Sequence, residues 1–472
     1  MSDGPPGPAA PAAPATPGTP AVTDPTELLR SRSYVQLLLL AALIGVPISA
    51  IAYGYLALVG HLQNWVFTSV PLWLGFHGAP VWWPAPLLVV AGVLVSLTIT
   101  YLPGTSGHEP AEGFHTGASP LPIELPGVIL ASLATLTFGV VLGPEAPLIA
   151  IGGGLGVLAV RLASKDAPPM AATVIAAAGS FAAISTLLGS PIVGAFLLME
   201  ASGIGGPLLG LVLVPGLLAA GVGTLIFIGL DRFTGLGTFS LAIPGLPTFS
   251  HPTGVLFLWA LAIGVVASFV GTGIHLAALA LQSVVVTRRL LWTPVAGLVV
   301  AAVAIAFAEL TGKGVENVLF SGQNQLPGLV VHATAWTVGA LVVLAVAKSL
   351  AYTVSLSGFR GGPIFPAMFV GATIGVAGSH LPGLSLVPAV AMGIGAMTTV
   401  MLRLPLTATL LAVLLFASDG LSVTPVVIVA VVVAYVASAR LPQHPSELLH
   451  RAPSGEPAPA PAASGTAAGG VG

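Results

Sequence analysis

Charge is what this sequence has least of. Thirteen Lys and Arg and fifteen Asp and Glu make up only 6% of 472 residues, where an ordinary soluble domain carries about a quarter. A water-soluble globular protein is excluded. Cysteine is absent, which removes disulfides, thiolate metal sites and cysteine nucleophiles together. There is no basic excess either. With a formal net charge of −2 and an isoelectric point of 6.5, no face can neutralise a phosphate backbone, so nucleic acid is not an expected partner. The ten histidines are scattered and form no HExxH pair, so neither a metal site, a cofactor nor an enzyme is expected. What the chain does have is hydrocarbon. Hydrophobic residues reach 56% and the mean hydropathy is +1.02, values that belong in a bilayer.

The charges are also unevenly placed. Residues 1–32 are rich in Pro, Ala and Thr, and 441–472 repeat that composition. Neither stretch can bury enough apolar surface to offset ordering, so both are expected to be disordered tails. The first lacks the apolar core of a secretory signal, and no soluble regulatory domain is expected in the last. Between them, apolar runs at 34–55, 85–102, 207–230, 256–281, 294–308 and 334–350 are long enough to span. Those at 143–162, 190–200 and 361–381 are too short or too interrupted. Gly (59) and Pro (42) are abundant, and a membrane protein uses so many in broken helices whose loosened backbone is buried or lines a cavity. The expected fold is an all-α integral membrane protein of broken, tilted helices, with halves at 33–230 and 253–440 joined by a linker at 231–252. Arg30 and Arg32 before the first span and Arg440 after the last place both termini in the cytoplasm of a plasma (inner) membrane protein.

An internal repeat carries most of the information. Gly143-Pro144-Glu145-Ala146-Pro147 leads into LIAIGGGLG, and Gly362-Pro363-Ile364-Phe365-Pro366, 219 positions later, leads into AMFVGATIG. GSPIVGAFLLME around Pro191 is matched by RLPLTATLLAVLL around Pro405, 214 positions on. Recurrence by chance in a Gly/Pro-rich chain is the plain alternative. A true duplication of this kind encodes transporters and channels whose site lies at mid-membrane, between the broken-helix ends of the two halves.

Such ends favour an anion. Pro at the first helical position gives up an amide that would be unpaired anyway, while Glu145, Ala146, Ile364 and Phe365 keep theirs. A free helix start carries about half a positive charge and several unpaired donors, so two of them converging would hold a halide-sized anion without Lys or Arg and repel a cation. Glu145 then stands out. An ionisable group in an apolar run costs about 2.5 to 3.5 kcal/mol on insertion scales, and its carboxylate can imitate the anion. When ionised it would occupy the anion position; when protonated or displaced it would leave. The alternative is a glutamate that only caps its own helix start.

At these residues the sequence resembles the CLC family of chloride channels and proton-coupled chloride transporters. GPEAP followed by LIAIGGGLG is similar to the family's GxEGP element. Thr105-Ser106-Gly107-His108-Glu109, continued by Glu112-Gly113, resembles GSGIPE. Gly361 to Pro366 resembles GGxFxP, and SPIVGAFLLME resembles APLxGxxFxxE. The four occur in the family's order over about 33–440. The resemblance implies a homodimer with one pore per subunit, each built from two inverted halves. It makes Glu145 the gate and Ser106 a hydroxyl donor to a central chloride, within an anion-binding set of Ser106, Gly143, Ala146, Gly361, Gly362, Ile364 and Phe365. A turn serine is the other reading of Ser106.

The departures matter too. The family's Arg before the gate is Pro144 here, the Gly after it is Ala146, and Pro363 removes one amide from the anion cage. The internal proton-accepting glutamate of coupled members falls on Ala201, so Glu145 and the adjacent Glu200 are the expected proton pathway if there is one. The stretch ARLPQHPSELLH, which corresponds to the family's pore-tyrosine region near the C-terminus, contains no tyrosine. The expected function is therefore chloride transport, channel-like or weakly coupled, with chloride, protons and lipid as partners. Chloride/proton antiport is the alternative, and a cation-coupled solute symporter the alternative of another class. Lys348 is expected to snorkel to the interface. Arg360 and Arg403 are expected either to raise anion concentration at a vestibule or to anchor the interface, and His108 and Glu109 to form a solvated loop pair or a pH sensor.

Overall fold

The computed structural model describes residues 30–114, 119–163, 169–203, 207–234, 243, 245–416 and 419–450; most of both expected tails lies outside them. Among the described residues every element is helical, apart from one isolated β-bridge. The first half holds α1 (Arg32–Asn64), α2 (Pro84–Tyr101), α3 (Leu125–Thr137), α4 (Glu145–Ala163), α5 (Pro169–Leu187), α6 (Pro191–Ser202) and α7 (Pro207–Thr234). The second holds α8 (Gly254–Thr287), α9 (Arg289–Thr311), the short α10 (Leu326–Val331), α11 (Val338–Gly358), α12 (Ile364–Gly378), α13 (Leu386–Leu402), α14 (Pro405–Leu415) and α15 (Gly420–Ala439). A further turn, α16 (Pro445–His450), follows. Its Glu447 accepts the Gln443 N–H at 3.1 Å and the Gln443 amide bonds back to the Ser438 carbonyl, which ties the turn to the end of α15.

The helix boundaries follow local chemistry. Pro opens α2, α6 and α14, Ser31, Ser190 and Thr337 accept amide bonds as N-caps, and left-handed Gly203 and Gly312 end α6 and α9, as residues of these types do. Length then decides what each helix can do. Among the described residues, eight helical stretches are long and apolar enough to cross a membrane. At about 1.5 Å per residue, the 34 residues of α8 reach about 51 Å, well beyond the roughly 30 Å of hydrocarbon, so α8 either tilts or extends past it. The 12 residues of α6 and 11 of α14 cannot cross at all. Large apolar side chains such as Leu39, Leu43, Leu258 and Phe269 are exposed on the outer helices, as lipid requires.

The repeat read from motifs is also a repeat of packing. In the first half α4 crosses α5 so closely that a Cβ on Gly152 would collide with the Gly179 carbonyl. In the second, α12 crosses α13 with Gly371 against the Gly393 carbonyl. These pairs are again separated by 219 and 214 positions. The glycines are needed because backbone meets backbone and no side chain stands between. The halves meet where α2 lies on α9, with Gly92 against Pro294 and Gly297 against the Leu88 carbonyl.

Gly371→Ala should therefore force two helix backbones apart and lower the melting temperature in detergent, at an overpacking cost of about 1 to 3 kcal/mol. Gly273→Ala on α8, where a methyl group meets nothing within 4 Å, should leave it unchanged or raise it, by up to about 1 kcal/mol. Equal melting temperatures for the two variants would contradict the close-crossing account.

Candidate anion site

The loops that precede α4 and α12 are tied to each other. The Gly143 N–H donates to the Gly362 carbonyl at 2.8 Å and the Gly362 N–H to the Gly143 carbonyl at 2.7 Å, forming the isolated antiparallel bridge. Nearby, the Val141 N–H donates to Ser355 Oγ and the Arg360 N–H to Thr135 Oγ1. The Phe320 N–H donates to the Gly139 carbonyl. These bonds hold the start of α4 and the start of α12 side by side, so their unpaired amides share one small region.

Glu145 occupies that region. Its side chain is fully buried, its Oε1 accepts the Ile364 N–H of the other half, and the amides of Glu145 itself and of Phe365 face the carboxylate. It therefore caps the opposite helix as well as its own. The second oxygen, Oε2, is buried without a partner. The bridge glycines make the room, since a Cβ at Gly143 or Gly362 would fall inside van der Waals contact of the carboxyl group. No basic side chain hydrogen-bonds or ion-pairs with this carboxylate among the described residues. Amides and two helix starts hold it, the same means by which an inorganic anion is held.

Ser106 is also buried, with a left-handed φ of 55°, and its hydroxyl has no hydrogen-bond partner. A buried orphan donor is costly and calls for a ligand. It lines a cavity of about 570 Å³ together with Ala146, Gly361, Pro363, Arg360 and Glu124, with the rest of the wall drawn mainly from α4 to α7. The members of the expected anion-binding set fall at adjoining places. Ser106, Ala146 and Gly361 line the cavity, Gly143 and Gly362 form the bridge, and Ile364 and Phe365 face the Glu145 carboxylate.

Glu200 is elsewhere. Its carboxylate accepts the N–H groups of Leu406 and Thr407 at 3.0 and 2.8 Å and the Thr407 hydroxyl at 2.7 Å, so it caps α14, the counterpart of the helix it terminates. No hydrogen bond joins it to Glu145, and it does not line the cavity.

Several polar residues depart from expectation. Lys348 does not snorkel: it is fully buried, and its ammonium donates to the carbonyls of Val318, Leu319 and Phe320, each at 2.9 Å, and lies 4.7 Å from the Phe369 ring centroid. The irregular backbone after a 3₁₀ turn offers three free carbonyls there, which satisfy the ammonium where it stands. Glu109 does not form a solvated pair with His108. It accepts from Arg289, Arg360 and Gln282. Burial by itself would raise its pKa, but the Arg289 hydrogen bond, the charges of Arg360 and Arg289 and the Gln282 bond outweigh burial and hold it below the usual carboxylate value. The group is therefore ionised at neutral pH, and its pairing is lost only as pH falls through that lowered value. Arg360 is buried whereas Arg403 is exposed at the end of α13, so the two do not act together. Sequence reasoning missed Tyr352, fully buried on α11 with its hydroxyl donating to the Pro363 carbonyl at 2.8 Å; the one available signal was a tyrosine inside an otherwise small and apolar helix.

Broken helices from two inverted halves, meeting at paired helix starts around a buried carboxylate, define a multi-pass membrane transport protein. The profile described as Voltage gated chloride channel matches residues 91–439, and the chain belongs to that family. It is similar to the putative ion-transport protein YfeO of Escherichia coli (strain SMS-3-5 / SECEC), with 30% identity over 358 residues, covering 74% of this chain and 80% of that protein. YfeO of Salmonella choleraesuis (strain SC-B67) is 29% identical over 367 residues, covering 74% and 81%. Among solved structures, a slow cyanobacterial Cl⁻/H⁺ antiporter superposes with a TM-score of 0.70 at 18% identity, covering 88% of this chain and 97% of its own. A CLC-type fluoride/proton antiporter gives 0.66 at 19%, with the same coverage. At such identities the likeness is one of fold.

Removing the α14 cap should have a structural signature. Glu200→Ala is expected to lower the melting temperature in detergent by the equivalent of a lost helix cap, about 0.5 to 2 kcal/mol, and to leave the pH profile of ion flux where it was. A pH profile displaced by Glu200→Ala would give Glu200 a role in proton movement.

Proposed function

We propose that this chain conducts chloride across the membrane along a path between the starts of α4 and α12, with Glu145 as its gate. The observation that carries the reading is the seat of the carboxylate: the Ile364 amide of the opposite half is bonded to Glu145 Oε1, in a position that an anion would take. Partial charges from helix starts bind a small anion weakly enough to let it go, which conduction requires. In the ionised state Glu145 fills the seat and closes the path. Protonation removes the charge that the amides hold, the side chain leaves, and chloride takes its place; an incoming chloride displaces it in the same way.

The path is channel-like or weakly coupled. Exchange needs a second carboxyl to deliver protons to Glu145 from the other side. Position 201, where the resemblance puts it, is alanine, and Glu200 spends its carboxylate on the amides of α14. The homodimer that the resemblance implies, a plasma (inner) membrane location and cytoplasmic termini flanked by Arg30, Arg32 and Arg440 belong to the same proposal.

Purified protein in liposomes should release chloride once a potassium ionophore carries the compensating charge, and no release from correctly folded protein would end the anion reading. Glu145→Gln, which cannot ionise, should raise flux at neutral pH and flatten its dependence on pH; an unaltered profile would remove Glu145 as gate. Under an imposed pH gradient, the reversal potential should stay at the chloride equilibrium value. A displacement from it would mean proton-coupled exchange.

A further inference from the structure

One cluster lies outside the Glu145 seat and has no part in the path described so far. The Arg360 side chain is 3% exposed, and its counter-charge Glu109 is 20% exposed. Nε donates to the Thr105 carbonyl at 3.1 Å, Nη1 to the Phe359 carbonyl at 3.4 Å and Nη2 to Glu109 Oε1 at 3.0 Å. The guanidinium has five N–H donors, so two remain beyond these bonds. Arg360 also lines the cavity that contains the unpartnered Ser106 hydroxyl.

Within the triad the charges do not cancel. Glu109 is shared between Arg360 and Arg289, so one carboxylate faces two guanidinium groups and the triad keeps one positive charge. Arg289 is 22% exposed and is screened by salt, while buried Arg360 is screened much less. Two other carboxylates bear on the cavity. Glu124, on its wall, is half-buried and accepts the Leu121 N–H, and Glu112 acts on Arg360 only through its charge. His108 lines the cavity too and pairs with the Gly113 carbonyl.

We propose that Arg360 is the affinity-setting cation of the anion path: an anion in the cavity beside Ser106 is held by the positive charge that the Arg360–Glu109–Arg289 triad leaves over, and Glu109 sets how tightly. An unpaired guanidinium would hold a halide too firmly for conduction, and a fully neutralised one would not hold it at all. Sharing one carboxylate between two arginines gives an intermediate strength. This inference rests on the proposed chloride path.

Titration calorimetry of sodium chloride into full-length protein, purified in a chloride-free gluconate buffer, tests both. Arg360→Gln should weaken chloride binding about tenfold, a loss of about 1.4 kcal/mol, while Arg360→Lys, which keeps the charge, retains most of the affinity. Glu109→Gln keeps an oxygen for Arg360 but removes the opposing charge, so it should tighten binding. A strut that merely fixes the Ser106 loop would behave otherwise: Glu109→Gln would weaken binding, and that result overturns the proposal even if Arg360→Gln fails to fold. Undiminished affinity in Arg360→Gln overturns it as well, with the chloride path left standing. Absence of chloride binding by the unsubstituted protein overturns the path and the inference together.

Discussion

The structure depends on a pair of hydrogen bonds between two glycines. Gly143 and Gly362 stand 219 residues apart in the chain and at the same place in each repeat, and their reciprocal bonds bring the starts of α4 and α12 together. Two positive helix ends do not approach one another without compensation. The compensation present is the Glu145 carboxylate, which sits on the Ile364 amide in a space that exists because neither glycine has a side chain. Pairing, glycine and carboxylate form one unit. Larger residues at the glycines would displace the carboxylate, and without an anionic occupant the amides would face each other unsatisfied in a dry interior.

Around this unit Lys348, Tyr352 and Glu200 each have partners of their own. Among the described residues Lys348 is the one fully buried lysine, and its three carbonyl partners lie at 318–320, where Phe320 in turn bonds to Gly139 ahead of the first loop. The lysine thus braces the loops without presenting a free charge to the seat. Tyr352 fixes the carbonyl of Pro363, the residue that has no amide to offer. Glu200 ties the end of α6 to the start of α14, so the matching helices of the two halves are linked as well as their loops. The seat itself is thus lined by amides rather than by a basic side chain, and the surplus charge of the Arg360 cluster stands outside it.

Much of this could be read from residues alone. The paired Pro-containing loops announced two helix starts, and the constant offsets announced that they were copies. The glycines at 152, 179, 371 and 393 keep those offsets in space, since packing is repeated along with sequence. Glu145 was legible because a carboxylate in an apolar run must have a reason to be there. Lys348 and Glu109 were read wrongly, and the helix that Glu200 caps was not foreseen, for one shared reason: the partner of a polar group is set by what folds against it. Three carbonyls from a distant irregular turn, two arginines on different elements and an opposite helix start leave no trace in the local pattern. The turn at 445–450 was hidden by the Pro- and Ala-rich composition around it.

Composition and periodicity, then, determined on their own that this is a helical membrane protein made of two related halves, with broken helices and a buried carboxylate at one break. Those properties follow from transfer free energies and backbone hydrogen bonding, which act residue by residue. Only the tertiary structure decided that the carboxylate would cap the opposite half, that Ser106 would be left without a partner beside a cavity, and that Arg360 would share its counter-ion with Arg289. Each of these is a meeting of groups far apart in the chain, and the energy of such a meeting depends on distance and burial, which exist only once the halves have closed on each other.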